Sequence, residues 1–219
     1  MPADFAPETL RNCKQIMTKN EIRKETIKKR NALTEKDRRD KSSQIFMRLK
    51  SLVLLDDDLS EKNSGGIYQN CDNLLVYASM GSEVITDDII SDALNCGKNV
   101  FCPLVTDKSN GAMTFVRIRA LSDLKAGYFG IREPHIDAAS EVFGADTKGN
   151  SLIIVPGVCF DRDRNRIGYK GGFYDRFLER FPQIYSVAVA YDVQISEKTL
   201  PFEEHDKRPD KVITETACY

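Results

Sequence analysis

The segment from Asn73 to Val105 restricts the fold more than any other. "NLLVYAS" (73–79) is a short apolar run rich in β-formers, and "NVFCPLV" (99–105) is a second. Between them "DDIISDALNCG" reads as a helix, with Thr86 placed to cap its start and Gly97 to end it as the first residue beyond the C-cap. Strand, helix and strand in that order favour a parallel pair with the helix as its crossover.

The alternation continues along the chain. "AMTFVRI" (112–118) alternates as a strand, and "LSDLKAGYFGIREP" reads as a short helix with turns. "SLIIVPGVCF" holds a strongly apolar strand, Leu152–Val155, stopped by Pro156-Gly157. "YDRFLERF" puts Tyr174, Phe177, Leu178 and Phe181 on one helical face; "YSVAVAY" (185–191) and "KVITE" close the series as strands. Two helices precede all of this. The first, "NEIRKETIKKRNAL", carries Ile22, Thr26 and Ile27 on one side. The second opens with Thr34 and Asp37 in a capping-box pattern and repeats Ile45, Phe46, Leu49, Leu52 and Val53 at helical spacing. The acidic, Gly/Ser-rich "DDDLSEKNSGG" (56–66) reads as a flexible surface loop. The expected fold is α/β: a Rossmann-like three-layer sandwich with a mostly parallel central sheet and an N-terminal helical segment. Residues 19–219 form one domain after an extension, 1–18.

Composition matters here for what it rules out. A net charge of −1 gives no basic field for nucleic acid. No apolar run reaches the length of a membrane span, and the first residues lack the pattern of a secretory signal. Six scattered cysteines form no C-x-x-C pair, and only two histidines accompany them. A zinc site and a disulfide framework are therefore not expected; reduced, mostly buried thiols in a cytosolic protein are.

In open α/β sheets ligands lie beyond the carboxyl ends of the strands. Three polar or glycine-rich segments qualify: "SMGSEVIT", "PGVCFDRDRNRIGYKGG" and "PFEEHDKRPD". The most informative stretch is "GYKGGFYDRFL" (168–178), which is neither G-x-x-x-x-G-K-[ST] nor G-x-G-x-x-G. Its glycines permit close backbone approach and positive φ. A helix beginning near Gly172 offers free N–H groups to an anion, and Arg166 and Lys170 add charge. On residues alone, a phosphate cradle and a charged loop before an amphipathic helix stand level. Asp175 either complements the helix dipole or holds Mg²⁺ beside a phosphate. Asp206, among Glu203, Glu204, His205 and Asp210, is either part of a solvated acidic loop or a second metal carboxylate. Glu83 is either a surface side chain or a ligand acceptor. Lys19 and Arg23 share a helix face, which alone says little.

The run "VPGVCFDRDRNRIGYKGGFYDRFL" closely resembles the signature of 5-formyltetrahydrofolate cyclo-ligases, also called 5,10-methenyltetrahydrofolate synthetases. "KNEIRKETIKKRNALT" is similar to that family's basic N-terminal helix. "VYASMGSEVITDDII", "GKNVFCPLV", "GIREP" and "PFEEHDKRPDKVITE" match its further landmarks in order, over about residues 19–215. The resemblance implies ATP-dependent closure of 5-formyltetrahydrofolate, with or without a polyglutamate tail, to 5,10-methenyltetrahydrofolate, ADP and phosphate. The route is a phosphorylated formyl group attacked by N10. It implies Lys19 and Arg23 at ATP, with Arg166, Ile167, Gly168, Tyr169, Lys170, Gly171, Gly172, Phe173 and Tyr174 around the triphosphate. Ala78, Met80 and Glu83 would meet the folate, together with the loop from Tyr169 to Phe173. Asp175 and Asp206 would hold Mg²⁺, and Lys170 and Asp175 would be catalytic; no general base stands out.

Lys170 stands where the family commonly has glycine, so a positive φ there would strain it. A monomer with no nucleic-acid or membrane partner is expected, in the cytoplasm, with mitochondria the alternative. Beside this reading stand a non-catalytic relative that binds folate, nucleotide or RNA, and another Rossmann-like enzyme such as a sugar-phosphate isomerase or CoA transferase.

Overall fold

The computed structural model describes residues 17–53, 65–127 and 130–219. Most of the acidic loop 56–66, the extension 1–16 and Tyr128-Phe129 lie outside the described residues. In chain order the elements begin with α1 (Lys19–Asn31), α2 (Glu35–Lys50), α3 (Ile67–Asn70) and β1 (Asn73–Val76). Next come α4 (Asp87–Asn95), β2 (Asn99–Asp107), β3 (Ala112–Ile118), β4 (Leu124–Ala126), β5 (Arg132–Pro134) and β6 (Ser151–Val155). The chain closes with β7 (Cys159–Asp161), β8 (Arg166–Ile167), α5 (Phe173–Arg180), β9 (Tyr185–Val189), β10 (Ile195–Ser196) and β11 (Lys211–Ile213).

Six strands form the central sheet in the order β11-β9-β6-β1-β2-β3. All neighbouring pairs are parallel except β2 and β3, which form an antiparallel edge. The β1–α4–β2 unit is the parallel crossover that its sequence pattern implies, in register at Leu74↔Val100. The period-2 alternation of a strand sends successive side chains to opposite faces. Leu74, Val76, Leu152, Ile154, Val187 and Val189 meet Ile45, Leu49, Ile89 and Ile90 of α2 and α4 on one face. Leu75, Ile153, Val155 and Ala188 meet Phe177, Leu178 and Phe181 of α5 and its C-terminus on the other. Three layers with two cores result, as the α/β pattern predicts.

Both N-terminal helices start with full capping boxes, Thr18 with Glu21 and Thr34 with Asp37. Gly97 ends α4 at φ +74°, where a glycine is needed. Other expectations change. Thr86 does not cap α4: its Oγ1 donates to the Tyr77 carbonyl at 2.6 Å and accepts from Ser79 N at 3.0 Å. That bond draws Tyr77–Ser79 out of the ladder, so β1 ends at Val76. Val53 is half-exposed rather than in the helical stripe. Among its described residues "LSDLKAGYFGIREP" holds a 3-10 turn, Leu121–Asp123, and then the two strands of the antiparallel hairpin β4–β5.

A second small sheet, β10-β7-β8, has no counterpart in the sequence pattern. Its turn is built around Asp161, which is 2% exposed. Asp161 Oδ1 accepts from Asp163 N and Asn165 N, and Oδ2 from Asn165 Nδ2 and Leu200 N, at 2.7–3.0 Å. Among the described cysteines Cys71, Cys102 and Cys159 are buried and Cys96 and Cys218 exposed, all free. Burial pushes the Cys71 thiol up to about 11 and Cys102 up to about 12. Among the described residues no helix is long and apolar enough to cross a membrane.

Candidate active site

One cavity opens where β1 and β6 end, and a second shares Lys170 with it. The first, of about 490 Å³, is walled by the β1–α4 loop, by β2, β3 and β5, and by the 166–175 segment. Pro103, Val105 and Met113 give it an apolar side, and Glu83 and Glu133 are its carboxylates away from Asp175. The second, of about 590 Å³, lies between the start of α1 and the 201–203 segment and includes Lys19 and Arg23. Lys170 lines both.

The loop that carries Lys170 has the backbone its glycines suggest. Lys170, Gly171 and Gly172 have φ of +95°, +86° and +63°. A side-chain carbon at Gly171 would sit 2.6 Å from the Phe173 ring, so glycine is required there for space as well as conformation. Lys170 lacks that freedom; a residue other than glycine in this region stores about 1–3 kcal/mol of strain. Gly172 is the N-cap of α5 and offers no side-chain cap, leaving first-turn N–H groups available to an anion. The loop is braced from two sides. Arg23 Nε donates to the Gly168 carbonyl at 2.6 Å, and Arg176 donates to the carbonyls of Gly111 and Gly171.

Arg166 is 7% exposed. It donates to Asp175 Oδ1 at 2.6 Å and to the Pro156 carbonyl at 3.3 Å, while its Nε has no partner among the described residues. Asp175 Oδ1 also accepts from Lys207 N at 3.0 Å, tying the loop before β11 to the first turn of α5. Next to Lys207, Asp206 accepts from Lys19 Nζ at 2.7 Å, and Lys19 reaches Glu203 at 2.8 Å. Burial acts to raise the Asp206 carboxyl, but the bonds from Lys19 and Glu203 N outweigh it and hold it below the usual range.

Glu83 sits on the opposite wall. It accepts from Met80 N at 2.9 Å, and Tyr191 donates to its backbone carbonyl at 3.1 Å. Burial pushes its carboxyl up, opposed by Tyr169, Met80 N–H and the charge of Arg30. The Tyr174 hydroxyl is fully withdrawn from water and has no hydrogen-bond partner among the described residues. Its ring is fixed edge-on against Phe115.

The structure thus gathers Ala78, Met80, Glu83, Arg166, Gly168, Tyr169, Phe173, Tyr174 and Asp175 around the first cavity, and Lys19 and Arg23 at the second. Ile167 points elsewhere: it is 1% exposed and packs with Cys159 and Leu200. Gly171 and Gly172 contribute backbone, and Asp206 stands behind Lys19. Sequence reasoning missed Arg30, Tyr77 and Glu133. Glu133 lies in "GIREP", which stands out only as a family landmark; Arg30 is hidden in a basic run that reads as solvated.

An uncapped helix start behind a glycine loop, beside a largely apolar cavity at the carboxyl edge of a parallel sheet, is the arrangement of an α/β enzyme. Residues 15–215 match the model of the 5-formyltetrahydrofolate cyclo-ligase family, and the chain belongs to that family, a group of folate ligases. It is 34% identical over 177 residues to a mouse 5-formyltetrahydrofolate cyclo-ligase, covering 77% of this chain and 84% of that one. It is 32% identical over 141 residues to the enzyme of that name from Escherichia coli K12, covering 64% and 75%. The NMR structure of Aquifex aeolicus 5,10-methenyltetrahydrofolate synthetase superposes with a TM-score of 0.70 at 29% identity, covering 92% of each chain. A 5,10-methenyltetrahydrofolate synthetase from Mycoplasma pneumoniae, at 20% identity, shares the fold with a TM-score of 0.65 over 91% of this chain and 99% of that one.

Proposed function

We propose that the chain closes 5-formyltetrahydrofolate to 5,10-methenyltetrahydrofolate at the expense of ATP, and that the first cavity takes the folate and the second the nucleotide. The observation that carries this assignment is Lys170, the residue that lines both cavities. A phosphoryl group passing from nucleotide to folate would pass the loop that carries Lys170.

The formyl oxygen attacks the terminal phosphorus and ADP leaves. N10 then attacks the activated formyl carbon, phosphate departs with the oxygen, and the N10 proton goes to phosphate or solvent. Orientation and charge neutralisation supply most of the acceleration in such a sequence. Lys19, Arg23 and Lys170 supply cations, α5 supplies N–H groups, and Glu83 accepts N–H bonds from the ring edge of the folate.

Asp175 and Asp206 fit Mg²⁺. They are hard oxygen donors on linked segments, and Asp175 Oδ1 alone takes the bonds from Arg166 and Lys207 N, so Oδ2 remains for a ligand. Among the described residues no cluster of three ligating side chains exists, so phosphate oxygens and water would complete the shell. Held by these carboxylates, Mg²⁺ would supply charge neutralisation for the nucleotide phosphates. Purified protein incubated with ATP, Mg²⁺ and 5-formyltetrahydrofolate is expected to form the methenyl chromophore with one ADP per turnover. Absence of both products would overturn the proposal.

A further inference from the structure

Arg30 is 4% exposed, and among the described residues it takes part in no salt bridge. A buried cation without a compensating charge is costly, so its retention calls for a reason. Its Nε donates to Ser82 Oγ at 3.0 Å, and Ser82 donates onward to Asn31 Oδ1 at 2.5 Å. The guanidinium lies over the Tyr169 ring, 5.5 Å from its centre. The Tyr169 hydroxyl is in polar contact with both Arg30 and Glu83. Three segments distant in sequence therefore meet at one charge: α1, the 80–83 loop and the 168–172 loop.

We infer that Arg30 is a positioning residue for the folate cavity, acting through Tyr169 to keep Glu83 ionised and fixed in place. The inference rests on the folate reading of that cavity. An ionised carboxylate accepts two N–H bonds from a donor-rich ring edge, whereas a protonated one turns an oxygen into a donor. Burial works against the ionised form. The groups that face Glu83 are Tyr77 from the end of β1, Tyr169 from the loop after β8, Tyr174 from α5, Tyr191 after β9, whose hydroxyl reaches the Glu83 carbonyl, and Arg30 from α1. Arg166, Lys170, Asp175 and Glu133 share the cavity. Of these, Arg30 is the cation that opposes the burial of Glu83. Arg30 thus supplies the missing counter-charge across a phenol, and Glu83 compensates Arg30 in turn.

The test is Arg30→Met, which keeps length and removes charge, measured with both substrates across pH. On the acid side of the wild-type midpoint the KM for 5-formyltetrahydrofolate should rise several-fold, while the KM for ATP stays within about twofold. The midpoint at which kcat/KM for folate climbs with pH should move up, because a carboxyl with a raised pKa ionises later. Arg30→Lys should restore the midpoint but not the full affinity, since an ammonium cannot stack as a plane. Tyr169→Phe, which keeps the ring and loses the hydroxyl, should shift the midpoint in the same direction as Arg30→Met and decides the matter if that variant does not fold. An unmoved midpoint in these variants, or equal rises in both KM values, overturns the inference. Failure of the wild type itself to bind 5-formyltetrahydrofolate by calorimetry would instead overturn the folate reading.

Discussion

Arg166 and Asp175 are joined by a 2.6 Å bond between side chains that are 5% and 19% exposed. The pair joins the β8 loop to α5, and each member also grips a third segment. Arg166 holds the Pro156 carbonyl, and Asp175 holds Lys207 N. Asp175→Ala should abolish ADP release and also strand a buried guanidinium, lowering stability by about 3 kcal/mol. Asp175→Asn, able to accept one bond, should lose turnover with a smaller stability loss. Turnover near the wild-type level in either variant would remove Asp175 from the metal site.

Lys170 poses the opposite test, because there stability and function should separate. Lys170→Gly relieves the strained φ of +95° and should raise the urea midpoint, by about 1 kcal/mol in free energy. Lys170→Ala keeps the strain and gains nothing. Both should lose roughly 10²-fold or more in kcat if the charge stabilises the transferring phosphoryl group. Equal stability of the two variants would show that the conformation carries no cost.

The Tyr174 hydroxyl predicts a similar gain. A buried polar atom without a partner costs about 1–3 kcal/mol in the free protein. Tyr174→Phe should therefore melt at a higher temperature in scanning calorimetry. A variant that is less stable than wild type would mean that the hydroxyl is already satisfied in the free protein.

The Lys19–Asp206 bond fixes the sign of an acid effect. The Asp206 carboxyl is held below its ordinary value of 3.8, so its contribution is present above that value and is lost as pH falls through the lowered one. Asp206→Asn should lower stability at neutral pH and so flatten the acid limb below about pH 4; because Asp206 also raises the pKa of Lys19, the loss of stability on the alkaline side should shrink as well. An acid limb identical to wild type would place the pH dependence elsewhere.

What the chain reveals before folding is what is local. The β1–α4–β2 unit, the capping box of Thr34 and the glycine end of α4 rest on contacts a few residues apart, and each is legible. Thr86 misleads because its hydroxyl could serve either the helix ahead or the strand behind, and the Tyr77 carbonyl takes it. The β10-β7-β8 sheet leaves no periodic signal: its strands are two or three residues long, and β10 meets β7 across some thirty-five residues. At the site, the glycine loop and Asp175 are visible as chemistry, and the strain at Lys170 follows from comparing it with the glycines expected there. Arg30 and Tyr174 are not visible in their present roles, because burial of a polar group is a property of the packed molecule.

The wall shared through Lys170 also bears on inhibition. Two weak ligands, one an apolar ring system and one an anion, would bind cavities of about 490 Å³ and 590 Å³ that share Lys170 in their lining. A compound that threads both past Lys170 would meet its second cavity at an effective concentration in the millimolar range, so its affinity would approach the product of its halves rather than either alone.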